Sequence, residues 1–462
     1  MKNEELRKKL ANPSGYGYDR ITPEDEAALD GYCKGYMAFL DAGKTERECV
    51  TESVRMAEEK GFRPWDKNAD MKPGDKFYYI DRGMDVLFFV IGEESLEKGM
   101  VITAGHIDSP RLDVKPRPLY ESGDMAYFCT HYYGLLRKYQ WVTMPLVIHG
   151  VICLRDGSKI TVKFGDGADE PKFVINDLLP HLGSDQNKIP LAEAINAEQL
   201  NILVGGRPLR DDDGGDRIRF EVLRILNEKY GIVESDLISA DLEAVPAMNA
   251  SEIGFDRSFI GAYGQDDRVC SYAILKATLE LEKPKRTCVC LLSDKEEVGS
   301  NGATGLQSSC FDWVLGQLCK KQGVELGDCF AASFCLSADV TAAYDPNFAS
   351  VYNLHSCAYA NRGVAVVKYA GSKGKTSTSD ATAELVWQLR DLLDRNGIVW
   401  QINEMGKADA GGGGTLAMFM VKRNISTIDA GVPVLSMHAP YETVGKLDCY
   451  MTYRTAKAVY EM

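Results

Sequence analysis

The sequence predicts an α/β protein in which a catalytic domain, residues 1–110 and 249–462, carries a mixed central sheet flanked by helices and is interrupted by an inserted β-rich domain, residues 111–248. Three observations lead there. Four apolar runs read as buried strands: Val-Ile-Thr-Ala at 101–104, Cys-Val-Cys-Leu-Leu at 288–292, Ala-Ala-Ser-Phe-Cys-Leu at 331–336 and Val-Pro-Val-Leu at 432–435. Each is followed closely by a cluster of histidine or carboxylate residues, and open α/β sheets bind ligands at the carboxyl ends of their strands. Between Arg111 and Met248 the texture changes to short strand-like segments with glycine turns, and no such cluster occurs.

Taken in order, Glu24 to Lys60 reads as helix, with Leu29, Tyr32, Tyr36, Phe39 and Leu40 at helical spacing. Two strands follow, Asp75–Asp81 and Asp85–Gly92, paired through Arg82-Gly83-Met84. A strand over Met100–Ala104 leads to His106. Inside the insertion, Tyr139–Leu154 and Lys159–Phe164 read as strands, and Asp211–Asp216 as a solvated acidic turn. From Tyr263 the catalytic pattern resumes. Arg268–Leu281 is helical, the remaining strands follow, and Ala381–Arg395 is a helix with Leu385, Leu389, Leu392 and Leu393 on one side.

At 462 residues the chain has the length of about two to three domains. Its 45% apolar and 26% charged content is that of a soluble globular protein. A net charge of −14 argues against nucleic acid or an anionic membrane as partner, since both would repel it. Thirteen cysteines, scattered singly, do not form a disulfide framework and suit a reducing cytoplasm. The N-terminal segment has no apolar signal core and no long apolar run occurs, so the protein is expected to stay where it is made.

The clusters themselves suggest a two-metal hydrolase. Two divalent cations about 3.5–4 Å apart need a bridging carboxylate, further ligands on each, and a free carboxylate to deprotonate water. His106, Asp267, Glu297, Asp339 and His438 are the candidate ligands and Glu296 the candidate base. Asp108, two residues beyond His106, points to the same side of an extended segment and would accept the other imidazole N–H. Each piece has an ordinary reading as well. Asp266-Asp267 suits a helix N-cap, and Asp294-Lys295-Glu296-Glu297 suits a solvated charge run. What favours the joint reading is their common position after buried strands. Gly411–Gly414 is either a bent connection or a loop facing substrate, since glycine backbone permits both.

The combination Gly-His-x-Asp-Ser-Pro, Asp-Asp-Arg, Glu-Glu-Val-Gly-Ser, Ala-Asp-x-x-x-Ala-x-x-Pro-Asn and Met-His-Ala, in this order, resembles the M18 metallo-aminopeptidases, in particular their bacterial branch, over about Tyr16 to Tyr460. That resemblance implies that His106, Asp267 and Asp339 hold one metal and Asp267, Glu297 and His438 the other, with Asp267 bridging. It further implies that the β-rich insertion serves dimerisation and covers the site, that dimers assemble into a twelve-subunit shell, and that His181 reaches a neighbouring subunit's site. The segment after Asp339 departs from the eukaryotic branch, with Ala342 and Asp345 where that branch has histidines. Asp345 and Gly414 are therefore candidate substrate contacts, and a carboxylate there would disfavour acidic N-terminal residues.

The expected reaction is hydrolysis of an N-terminal peptide bond, with Glu296 taking a proton from metal-activated water and returning it to the leaving amine. Zinc suits the ligand set, and cobalt or manganese also fit. Two alternatives compete. A deacylase or carboxypeptidase of related architecture would recognise a substrate carboxylate and not a free amine. A non-catalytic shell-forming protein would have no need of Glu296.

Overall fold

A computed structural model of the chain describes residues 3–11 and 15–462, and its strands form three sheets. The central sheet has nine strands. Cys288–Ser293, Val101–His106, Phe334–Ser337 and Ser426–Gly431 lie side by side and parallel. Asp85–Val90 and Val364–Val367 flank them antiparallel, so the sheet is mixed. Every residue of Val101–His106 and Cys288–Ser293 is buried, as strands covered on both faces require. On one face pack the helices Pro23–Ala42, Gln265–Leu279 and Lys446–Val459; on the other, Cys310–Gln322. Register aligns Ser293 with His106 and Ser337 with Ala104. The parallel strands consequently end at one edge of the sheet.

Three local expectations are corrected. The helix read over 24–60 is two helices, Pro23–Ala42 and Glu46–Glu58. Thr45 caps the second, accepting from the Glu48 amide while the Glu48 carboxylate accepts from Thr45, and this reciprocal cap starts a new helix. Of the strand read over 139–154 only Leu146–Cys153 forms, since Pro145 precedes it and Lys138–Gln140 is a helical turn. The fourth predicted strand, as Pro433–Leu435, belongs to a separate five-stranded sheet with Thr341–Ala342, Ser251–Ile253, Phe259–Ala262 and Glu442–Gly445. It is too short for its apolar run to reveal which sheet it joins.

The third sheet has six antiparallel strands, all drawn from residues 111–246. Its own core includes Leu112, Phe128, Trp141, Ile148 and Ile202, with Ile218, Val222 and Leu226 of the helix Arg217–Tyr230 against it. Two buried polar ties join it to the central sheet's helices. Arg111 lies 3.3 Å from Glu46 and 3.2 Å from Glu243. Glu48 lies 3.0 Å from His149 and 2.7 Å from Lys163. Breaking the Arg111–Glu46 pair by removing one partner leaves a charge in a dry place, which is the costly way to lose a buried ion pair.

Candidate metal and catalytic site

His106 ends its strand and is 1% exposed. Glycine before it lets the helix come close, because a Cβ on Gly105 would crowd Ser271 Oγ at 2.9 Å and Asp267 Oδ2 at 3.0 Å. Closeness of the helix Gln265–Leu279 to this strand is what brings its first turn to the histidine. His106 Nδ1 faces the Asp108 carbonyl oxygen at 3.0 Å. An acceptor there takes the Nδ1 proton and leaves Nε2 facing the carboxylates, and Asp108, Asp266 and Asp339 overcome burial to raise the proton affinity of the imidazole well above its ordinary value.

Nε2 of His106 lies 3.2 Å from Asp266 Oδ1 and 3.9 Å from Asp339 Oδ1. Across the cleft, His438 Nε2 lies 3.1 Å from Asp266 Oδ2 and 3.5 Å from Glu297 Oε2, while its Nδ1 faces the Leu135 carbonyl oxygen at 2.6 Å. One carboxylate thus spans the two histidines, and it is that of Asp266. The expectation that Asp267 would do so is corrected. Asp267 Oδ2 accepts the His106 backbone N–H at 3.3 Å, which turns the side chain toward the strand and away from His438. Asp267 nonetheless stays near, since His106, Asp267 and Asp339 form one compact ligand-type group and His106, Asp266 and Glu297 another.

Glu296 and Glu297 sit in a single helical turn held between Lys295, at φ 69°, and Gly299, at φ 83°. Their backbone amides donate to Asp108 Oδ1 at 3.1 Å and Oδ2 at 3.2 Å. The expected role of Asp108 is therefore modified: its carbonyl takes the shorter contact with His106, its Oδ1 stands 3.4 Å away, and its carboxylate holds the Glu296-Glu297 turn. Glu296 Oε2 reaches within 4.0 Å of His106 Nε2.

Negative groups outnumber positive ones here, and the proton affinities show it. Burial, together with Asp108 and Asp266 nearby, pushes Glu296 up to about 7. Burial and Asp266 push Glu297 well above the usual carboxylate range, and burial and Asp267 do the same to Asp339. His438 is pushed up to about 10, its neighbours Asp266 and Glu297 overcoming burial. Burial alone would raise Asp266, but the two histidines hold it well below its ordinary value.

These features fit bound cations. Glu297 Oε1 and Asp267 Oδ1 are buried without a hydrogen-bond partner, an arrangement that is costly unless something positive completes it. Two ligand atoms each about 2.0–2.1 Å from a tetrahedral ion stand about 3.3 Å apart. The separations of 3.2 and 3.1 Å from Asp266 to the two histidines, and of 3.5 Å from His438 to Glu297, have that size.

Of the other predicted residues, Gly414 lines the cleft with Gly412 and Gly413, close to Asp339 and His438. Asp345 is not brought there. It caps the turn Pro346–Val351, its Oδ1 accepting from the Asn347 amide at 2.9 Å, because an Asp-Pro-Asn sequence is a turn start. The Asp345 carboxylate therefore does not stand in this cleft to repel an acidic side chain. His181 is exposed on the turn Pro180–Leu182, outside the residues lining this cleft.

Two residues escaped the sequence reading. Glu442 is 1% exposed, and its Oε1 accepts the His438 amide at 2.7 Å while its Oε2 accepts the Asp266 amide at 3.0 Å. Its position four residues after His438 is a faint signal. Leu135, whose carbonyl faces His438, carried none, since a backbone acceptor has no residue signature.

The family profile described as Aminopeptidase I zinc metalloprotease (M18) matches residues 39–460. A protein of Clostridium acetobutylicum named "Probable M18 family aminopeptidase 1" is 45% identical over 422 residues, covering 90% of this chain and 91% of that one. The crystal structure of a Thermotoga maritima M18 aminopeptidase superposes with a TM-score of 0.94 at 39% identity, covering 98% of this chain and 100% of that one. The S. cerevisiae mApe1 dodecamer shares the fold, with a TM-score of 0.75 at 21% identity over 94% of this chain and 99% of its own.

Proposed function

The chain belongs to the M18 family of metallo-aminopeptidases, and from that membership we propose that it removes N-terminal residues from peptides at the cleft between His106 and His438. The observation that carries the reading is Asp266, whose two oxygens lie 3.2 and 3.1 Å from the two imidazoles. His106 and Asp339 would complete one metal site, and His438 and Glu297 the other, with Asp266 common to both. Zinc, named for the family, suits this nitrogen and oxygen donor set, and cobalt or manganese are compatible with it. Such ions supply acidity to a coordinated water and polarise the scissile carbonyl.

The rest of the chemistry belongs to the protein. Glu296 stands 4.0 Å from His106 Nε2 and lies outside the two ligand-type groups, so its carboxylate is free to take a proton from the attacking water and return it to the departing amine. Asp108 fixes where Glu296 sits by holding its amide. Gly412, Gly413 and Gly414 leave backbone open on the opposite wall for an extended peptide.

The six-stranded sheet is proposed to join copies of this chain into a homo-oligomer, dimers assembling to a dodecamer. Support comes from the yeast dodecamer of the same fold and from Leu178, Leu179 and Leu182, which are 46, 49 and 68% exposed around His181. His181 is proposed to act in the neighbouring subunit's cleft. Thirteen free cysteines suit a reducing cytoplasm.

Aminoacyl chromogenic amides, assayed with added zinc or cobalt, test the activity. Release should require a free α-amine and stop with chelator. Cleavage of amine-blocked peptides at equal rate would point instead to a deacylase or carboxypeptidase.

A further inference from the structure

We infer that the segment Tyr133-Gly134-Leu135, at the end of a strand of the six-stranded sheet, positions both halves of the catalytic cleft, so that this sheet sets turnover and not assembly alone. The inference rests on the aminopeptidase reading above.

The three residues make three separate contacts. Tyr133 is 9% exposed and its hydroxyl donates to Asp108 Oδ2 at 2.6 Å. That carboxylate in turn accepts the amides of Glu296 and Glu297. A hydrogen bond to an ionised acceptor is of the stronger kind, and here it ends a chain running from the insertion to the proposed base. Gly134, at φ 72°, lies against Glu297, where a Cβ would come within 3.4 Å of Glu297 Cβ. Leu135 then presents its carbonyl oxygen to His438 Nδ1 at 2.6 Å, fixing which imidazole nitrogen faces Asp266.

The segment is itself held firmly. The Arg111 guanidinium lies 3.9 Å over the Tyr133 ring, and Arg111 is gripped by Glu46 and Glu243. Tyr133 is joined by strand pairing to Arg111. Tyr133 is thus a positioning residue: it acts on the reacting groups through Asp108.

The test is Tyr133→Phe in the full-length, metal-loaded protein. Loss of one hydrogen bond to a charged acceptor should lower kcat by roughly tenfold or more, with KM and metal content nearly unchanged. Because the contact acts through Asp108, the double variant with Asp108→Asn should lose no more than Asp108→Asn alone. A readout independent of activity is amide hydrogen exchange at Glu296 and Glu297, which should quicken by roughly tenfold while the strand Cys288–Ser293 stays protected. Wild-type exchange at those amides, or effects of the two substitutions that multiply, would overturn the inference. If the chain proves not to be an aminopeptidase, the exchange result still decides. Should Tyr133→Phe not fold, Gly134→Ala keeps the phenol and strains the segment's backbone, which stands at φ 72°; it must speed the same two amides, and unchanged exchange overturns the inference equally.

Discussion

Asp266 Oδ1 stands 3.2 Å from His106 Nε2 although the two residues are 160 positions apart in the chain, and the six-stranded sheet is drawn from that interval. Contact between the first proposed ligand and the proposed bridge therefore requires the chain to return from that sheet to the strand that carries His106.

Replacement of Asp266 should consequently be the more damaging of two neighbouring changes. Asp266→Ala removes the group common to both proposed metal sites, and metal content should fall with turnover. Asp267→Ala removes an acceptor of the His106 amide and should weaken metal affinity by about 10–100-fold. Elemental analysis beside kinetics separates them. Equal metal loss from both, or greater loss from Asp267→Ala, would restore the bridge to Asp267. Chelation of the wild type should lower its melting temperature, since a ligand at a hundredfold its Kd adds about 2.7 kcal/mol to the native state.

Glu296→Gln is expected to cut turnover by about 10²–10⁴-fold while leaving metal bound, since glutamine keeps the size of the side chain and loses the proton acceptor. Metal lost in parallel with activity would mean that Glu296 is a ligand and that the base lies elsewhere.

Mixing subunits tests the proposed sharing of sites. His181→Ala and Glu296→Gln proteins, each inactive or weak alone, should regain part of the wild-type rate when reassembled together, because some sites then receive an intact residue from each subunit. Light scattering that gives a monomer, or no recovery after verified exchange, rejects the shared site.

Glu48 offers a test of stability against pH. His149 and Lys163 overcome its burial and hold it down to about 2, below its ordinary 4.5. A carboxylate lowered in the folded state contributes stability that is fully present above its unfolded value and is lost as pH falls through its folded value. Glu48→Gln should thus destabilise the protein by about 1–3 kcal/mol at pH 5, with a gap to wild type that narrows as pH falls from about 4.5 toward 2. Denaturant titrations at pH 7, 5 and 3 measure it. A gap that widens between pH 5 and 3 contradicts the ion pair.

The sequence by itself determined the family, the α/β class and the cluster of ligand-type residues, because these are written in local patterns. Buried strands are continuous apolar runs, and His106, Glu296, Glu297, Asp339 and His438 follow four of them within a few residues. Tertiary structure decided the rest. Whether Asp266 or Asp267 faces the cleft depends on the first turn of a helix packed against Gly105, and both residues offer identical chemistry to a reader of the sequence. Asp345 became a turn cap because its backbone neighbours competed successfully for its carboxylate. Tyr133 and Leu135 reached the cleft through sheet pairing more than a hundred residues away from Glu296 and His438, and a carbonyl oxygen that orients an imidazole belongs to no residue type. Local sequence fixes which groups a chain carries; the packing of distant segments fixes which of them meet.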